Sequence, residues 1–149
     1  MKRIFVFCLA FVFTLSMVSL TLSKVPTWRG TIVATWVDDA RAKVKTVTDA
    51  DVKAVIDKQV VGPIILDVRD PDEFMKGHLP GAINVSRGKL EFVIWDRIPD
   101  RDAKIYVYCL RGPRATFATK TLNDMGYKNA LLMTTHFEPW EKAGFPVTK

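Results

Sequence analysis

Ile64, Ile65, Leu66, Asp67 and Val68 follow a chain break at Gly62 and Pro63, and so continuous an apolar run has no polar face to offer water. A strand of this kind is buried on both sides. In a chain of 149 residues, that predicts an α/β domain: a parallel sheet covered by helices on both faces. Further strands are predicted at 82–85, 104–108 and 130–133, and helices alternate with them. Thr48 and Asp51 have the spacing of a capping box ahead of a helix over 49–58. Asp70, Pro71, Asp72 and Glu73 open a short helix that Gly77 ends. Helices are also expected over 88–95, over 115–125 with Gly126 as its stop, and over 137–143.

The first 23 residues stand apart from this pattern. They carry no acid and only Lys2 and Arg3 as charges, then run apolar from Ile4 to Leu22, with small residues at Thr21 and Ser23. We read them as a secretory signal cut after Ser23. The expected organisation is a signal at 1–23, an extension at 24–47 holding Trp28, Trp36 and a helix over 35–45, and one domain at 48–149. An uncleaved anchor is the alternative reading, since about 20 apolar residues span a bilayer. In either case the domain lies outside the cytoplasm, periplasmic or otherwise exported.

Cleavage would remove Cys8 and leave Cys109 without an intramolecular partner in a compartment that favours disulfides. It would also lower the net charge from +6 to +4, because Lys2 and Arg3 leave and no acid does. The remaining charges mix signs, as at Asp96, Arg97, Asp100, Arg101 and Asp102, which describes a solvated face and excludes a nucleic-acid stripe. The expected ligands are small anions.

Cys109, Leu110, Arg111, Gly112, Pro113 and Arg114 link a strand end to a helix start. Loop amides and the positive end of the helix can therefore converge on the sulfur, with Arg111 and Arg114 adding charge, and together they favour a nucleophilic thiolate. By chemistry alone the loop would serve phosphate monoesters, arsenate or sulfur anions. Cysteine phosphatases place five residues between Cys and Arg and usually a His before the Cys. Here four residues intervene, Tyr108 precedes the Cys, and Ala115 stands where the phosphatase Arg would be.

Over residues 46 to 147 the sequence resembles the rhodanese family of sulfurtransferases. The resemblance rests on Leu66-Asp67-Val68-Arg69 with Glu73-Phe74, on His78-Leu79-Pro80-Gly81-Ala82-Ile83-Asn84, on Tyr108-Cys109 with the loop to Arg114, and on the tail from Trp140 to Val147. It implies a five-stranded parallel sheet, a persulfide on Cys109, no cofactor, and a thiophilic acceptor such as cyanide, a thiol or a sulfur-accepting protein. Ser86-Arg87-Gly88-Lys89-Leu90-Glu91, with the export signal and the extension, is similar to the exported, dimeric polysulfide sulfurtransferases. In that branch arginines matching Arg69, Arg87 and Arg114 surround the sulfur chain. The expected substrate-binding set is therefore Arg69, Arg87, Leu110, Arg111, Gly112, Pro113 and Arg114.

Two departures from the family pattern bear on the pocket. Thr135 and His136 replace a Gly-Gly turn, and Leu110 stands where the polysulfide branch has a Lys, with Arg111 one place on as its substitute.

Blander readings stand beside these. Arg69 with Asp67 and Glu73 would make a buried ion pair at the strand end, alongside or instead of touching substrate. His78 reads as a structural hydrogen-bonding residue. His136 reads as a surface histidine, with an imidazolium at the pocket mouth as the alternative. Trp28, Trp36 and Trp95 would either join the core or serve a homodimer contact. Asn84-Val85-Ser86 reads as a chance glycosylation signal, and no metal constellation is present. Two other functions remain open: a sulfur carrier without turnover for a membrane respiratory enzyme, and a Cys109-dependent phosphatase or arsenate reductase.

Overall fold

A computed structural model describes residues 28–58 and 60–149. The expected signal at 1–23 and the first residues of the extension lie outside the described residues, as does the side chain of Trp28.

The chain runs α1 (Trp28–Arg41), β1 (Thr46–Val47), α2 (Asp49–Ile56), β2 (Ile64–Asp67), α3 (Pro71–Lys76), β3 (Ile83–Asn84), a 3₁₀ turn (Arg87–Lys89), α4 (Leu90–Arg97), β4 (Ile105–Tyr108), α5 (Pro113–Asp124), β5 (Ala130–Met133) and α6 (Phe137–Lys142). The five strands form one parallel sheet in the order β1-β5-β4-β2-β3. This is the expected architecture.

Strand alternation divides the apolar residues between two cores. Leu66, Val107 and Leu132 are in register and face α4 and α5, where Leu90, Ile94, Ala118 and Leu122 bury against them. Ile65 and Tyr106 point the other way and join Val52 of α2 and Phe137 and Trp140 of α6. Because β2 and β4 are covered on both sides, they can be apolar on both faces, up to Asp67 at the end of β2.

Local signals set the element ends. The Thr48 Oγ1 accepts from Asp51 N–H, and the Asp51 carboxylate accepts from Thr48 N–H, a reciprocal cap whose loss typically costs ~1 kcal/mol. Asp70 and Glu73 make the same box ahead of α3, with Pro71 at the first helical position.

Two expectations at the N-terminal end need correction. The helix expected over 35–45 occupies Trp28–Arg41. Among its described side chains only Val37 and Ala40 are buried, against α5, while Ile32, Val33 and Trp36 remain exposed, so the sequence carries no clean amphipathic period. Thr46 and Val47, assigned to the extension, form the edge strand beside β5.

Candidate active site

β4 ends at Tyr108, and the next residue, Cys109, is 1% exposed at the carboxyl edge of the sheet, where ligands of parallel α/β folds bind. The loop turns through Gly112, whose φ of 118° lies in the left-handed region, and enters α5 at Pro113. That backbone geometry lets Gly112 N–H donate to Cys109 Sγ at 3.1 Å. The sulfur therefore sits at the positive end of a helix of 12 residues, and both effects favour negative charge on it. His136 lies against the loop at Gly112, and α6, which follows it, is fastened to the loop. Phe137 N–H donates to Cys109 O at 2.9 Å and Glu138 N–H to Leu110 O at 3.2 Å.

Arg69, Arg111 and Arg114 are brought near the loop, but carboxylates hold them. Arg69 is 2% exposed. Its Nε and Nη2 donate to the Asp67 carboxylate at 2.6–3.0 Å, and Nη2 also donates to Gly77 O at 2.6 Å. The guanidinium carbon lies 3.9 Å over the Phe137 ring. This is the buried ion pair that was one of the two readings, and breaking such a pair typically costs 3–5 kcal/mol. Burial first, then the Asp67 charge, pushes the Tyr108 phenol upward, so it stays neutral and accepts from Leu79 N–H at 3.1 Å.

Glu73 pairs with Arg114, 2.6 and 2.8 Å from it, and makes no hydrogen bond to Arg69. This corrects the expected triplet of Arg69, Asp67 and Glu73. The Arg114 hydrogen bond holds the Glu73 carboxyl below its usual range, and Glu73 in turn raises Arg114. Arg111 is exposed and bound to Glu138, whose carboxyl that bond, with a second from Lys142, lowers to about 2.

Arg87 requires a larger correction. Its guanidinium binds Glu91 at 2.7 Å and Thr121 Oγ1 at 3.2 Å, and Thr121 lies eight residues beyond Pro113 in α5, about 12 Å along the helix. The geometry directs Arg87 away from the loop.

Leu110 sits at the edge of the core and, with Arg69, Glu73, Lys76, Phe137 and Glu141, lines a cleft of ≈ 310 Å³ beside the cysteine. The His78 ring stacks on Phe74 with centroids 3.8 Å apart, Nδ1 lies 3.0 Å from Phe74 O, and its backbone pairs with Thr148. The Asn84 amide donates to the carbonyls of Asp67 and Arg69, both at 3.0 Å, which leaves it tied to the strand end.

His136 overturns its expectation. It is 5% exposed, and neither ring nitrogen has a hydrogen-bond partner. Burial first, then the charge of Arg41, lowers its pKa from 6.5 to about 4, so it is neutral near pH 7 and supplies no imidazolium. Thr135 turns from the pocket and donates to Asp49 at 2.5 Å. Arg41, at the end of α1, reaches the same corner of the loop. A Cβ on Gly112 would lie 2.8 Å from His136 Nε2 and 3.3 Å from Arg41 Nη2. Nothing in the sequence marked Arg41, because it lies in the extension and belongs to no motif.

Comparison with known proteins gives a consistent family. The model of the rhodanese-like domain matches residues 48–143. The thiosulfate sulfurtransferase GlpE of Pseudoalteromonas translucida is 27% identical over 99 residues, 66% of this chain and 90% of that protein. Among solved structures, a Rhodopseudomonas palustris protein of unknown function, described as a possible tyrosine phosphatase, superposes with a TM-score of 0.67 at 31% identity, covering 78% of this chain and 93% of its own. The polysulfide-sulfur transferase homodimer of Wolinella succinogenes superposes with a TM-score of 0.65 at 28% identity, covering 81% of this chain and 89% of its own.

Proposed function

This chain belongs to the rhodanese-like family, and we propose that it is an exported sulfurtransferase that takes sulfane sulfur from polysulfide or thiosulfate onto Cys109. Sulfurtransferase activity in general is supported by the family and by its named relatives. The observation that supports Cys109 as the sulfur-bearing residue is the Gly112 N–H bond to Cys109 Sγ at the start of α5, in a loop one residue shorter than phosphatases use.

The chemistry follows from that geometry. The Cys109 thiolate attacks the outer sulfur of thiosulfate, a sulfur–sulfur bond forms, and sulfite leaves with the electron pair of the bond that breaks. Polysulfide reacts in the same way and leaves one sulfur shorter. The persulfide anion on Cys109 then lies against the loop amides and the helix terminus. A nucleophile such as cyanide or a thiolate takes the outer sulfur and returns the thiolate.

Polysulfide as donor is supported by likeness to the Wolinella protein. That protein is a homodimer, and exposed Ile32, Val33 and Trp36 on α1 would suit a second copy here. Export rests on the apolar N-terminal run.

Intact mass after incubation with polysulfide or thiosulfate tests the reading, comparing the wild type with Cys109→Ser. Gain of whole sulfur atoms in the wild type alone, reversed by cyanide, is the expected result. No adduct from either donor, together with Cys109-dependent turnover of an aryl phosphate, would replace sulfur transfer with phosphoryl transfer.

A further inference from the structure

The cations expected to receive an anionic donor are already answered by carboxylates: Arg69 by Asp67, Arg87 by Glu91, Arg111 by Glu138 and Arg114 by Glu73. Each guanidinium is at least partly neutralised by its carboxylate, Glu138 being shared with Lys142. Arg41 differs from all four. It ends α1, outside the span matched by the family model, and its side chain makes no ion pair or hydrogen bond among the described residues.

Arg41 Nη2 and His136 Nε2 lie 3.3 and 2.8 Å from a single point, the position of a Cβ on Gly112. The two nitrogens are therefore no more than about 6 Å apart, close enough for a single anion to accept a hydrogen bond from each. Since Gly112 N–H touches Cys109 Sγ, the guanidinium nitrogen stands within about 9 Å of the sulfur, near the Debye length at physiological salt. His136 adds an independent sign of a ligand: a polar side chain 5% exposed, aimed at the loop, with both ring nitrogens unpartnered. Native interiors rarely leave such groups unsatisfied.

We propose that Arg41 and His136 form an anion subsite beside Gly112 that holds the charged tail of the sulfur donor, a sulfonate or the far end of a polysulfide chain, while Cys109 reacts with the sulfane sulfur. Arg41 supplies the charge and the neutral His136 ring supplies an N–H. The inference rests on the sulfur-transfer reading for its physiological ligand, but the subsite is testable without it.

The probe is alkylation of Cys109 in the full chain by iodoacetate, which carries a carboxylate, against neutral iodoacetamide, with rates read by intact mass. In both reactions the thiolate displaces iodide, so the ratio of rates isolates recruitment of charge. At low salt Arg41→Ala is expected to lower the iodoacetate preference about fivefold, Arg41→Lys to restore most of it, and 0.5 M salt (roughly a 4–5 Å Debye length) to erase the difference. Arg41 is exposed, so these variants keep the fold. His136→Phe is expected to lower the ratio and His136→Gln, which keeps a donor, to preserve it. With thiosulfate, Arg41→Ala should raise KM more than it lowers kcat. An unchanged alkylation ratio in Arg41→Ala overturns the subsite. A lowered ratio in a protein that accepts no sulfur from any donor supports the subsite and removes only the sulfur-transfer reading.

Discussion

The loop around Cys109 has two unlike flanks. On the α3 side every charge is matched: Arg69 binds Asp67 and Gly77 O, and Arg114 binds Glu73. On the α1 side Arg41 is unpaired among the described residues and His136 is buried without a partner. The matched flank lies within the span of the family model and the cation of the unmatched flank lies before it. A saturated network fixes shape, because moving Arg69 or Asp67 strands a buried charge and moving Arg114 or Glu73 a half-buried one. An unsaturated one has hydrogen-bonding capacity left for a ligand. The scaffold of the loop and the selection of its anion are thus divided between its two sides.

Removing Asp67 is the strongest way to break the matched flank. Asp67→Ala leaves the Arg69 guanidinium buried without a counter-charge, with Gly77 O and the Phe137 ring as its remaining contacts, and the expected loss is about 3–5 kcal/mol by urea denaturation. A loss below ~1 kcal/mol would mean that the pair is replaceable, and the flank would lose its role as scaffold.

Gly112 is where the flanks meet. An alanine there would combine a φ of 118° with a Cβ 2.8 Å from the His136 ring. Gly112→Ala is expected to cost about 2–3 kcal/mol and to abolish sulfur uptake. Retained uptake in the single variant would show that the loop has room that the contact denies. In the double variant with His136→Gly the clash is relieved, and part of the stability should return.

The unmatched flank makes its own prediction with pH. His136 is surrounded by Arg41, Asp49 and the loop of Cys109, and its folded pKa of about 4 lies below the unfolded value of 6.5. Between those values the unfolded chain binds a proton that the folded protein does not, so stability is full above pH 6.5 and declines as pH falls toward 4. The loss attributable to His136 is about 2 kcal/mol after allowance for relaxation of the site. His136→Gln should lack this part, so the gap between the two proteins should change with pH across that window. A constant gap from pH 7 to pH 4 would show that the imidazole is not held neutral by its site.

The division between flanks also marks what was legible in the sequence. The sheet was readable because β2 and β4 are apolar on both faces, and the helix starts were readable because Thr48-Asp51 and Asp70-Glu73 advertise their caps. β1 was not, since two residues at a sheet edge set no period. Glu73 was assigned to Arg69, four residues away in sequence, when its partner is Arg114, 41 residues on. His136 looked like a surface residue because nothing local shows that Phe137 and Glu138 bind the carbonyls of Cys109 and Leu110. Charges in a strand-end motif can be recognised by spacing, but their partners are decided by which helix end folds over them.

The smallest expected effect separates charge from shape on the matched flank. Glu73→Gln keeps the side chain and its reach but removes the charge facing Arg114, a pair whose side chains are 26% and 34% exposed, so the expected cost is only about 1 kcal/mol. The sign with pH follows from the lowered Glu73 pKa, caused first by Arg114. The stabilisation is complete above the unfolded carboxyl value and is lost as pH falls through the folded one, so wild type and variant should converge in acid. Freed from Glu73, Arg114 gains net charge beside Cys109, and iodoacetate preference at neutral pH should rise modestly, opposite in sign to Arg41→Ala. If the preference instead falls, Glu73 serves mainly to hold Arg114 where an anion meets it, and both flanks of the loop take part in recruitment.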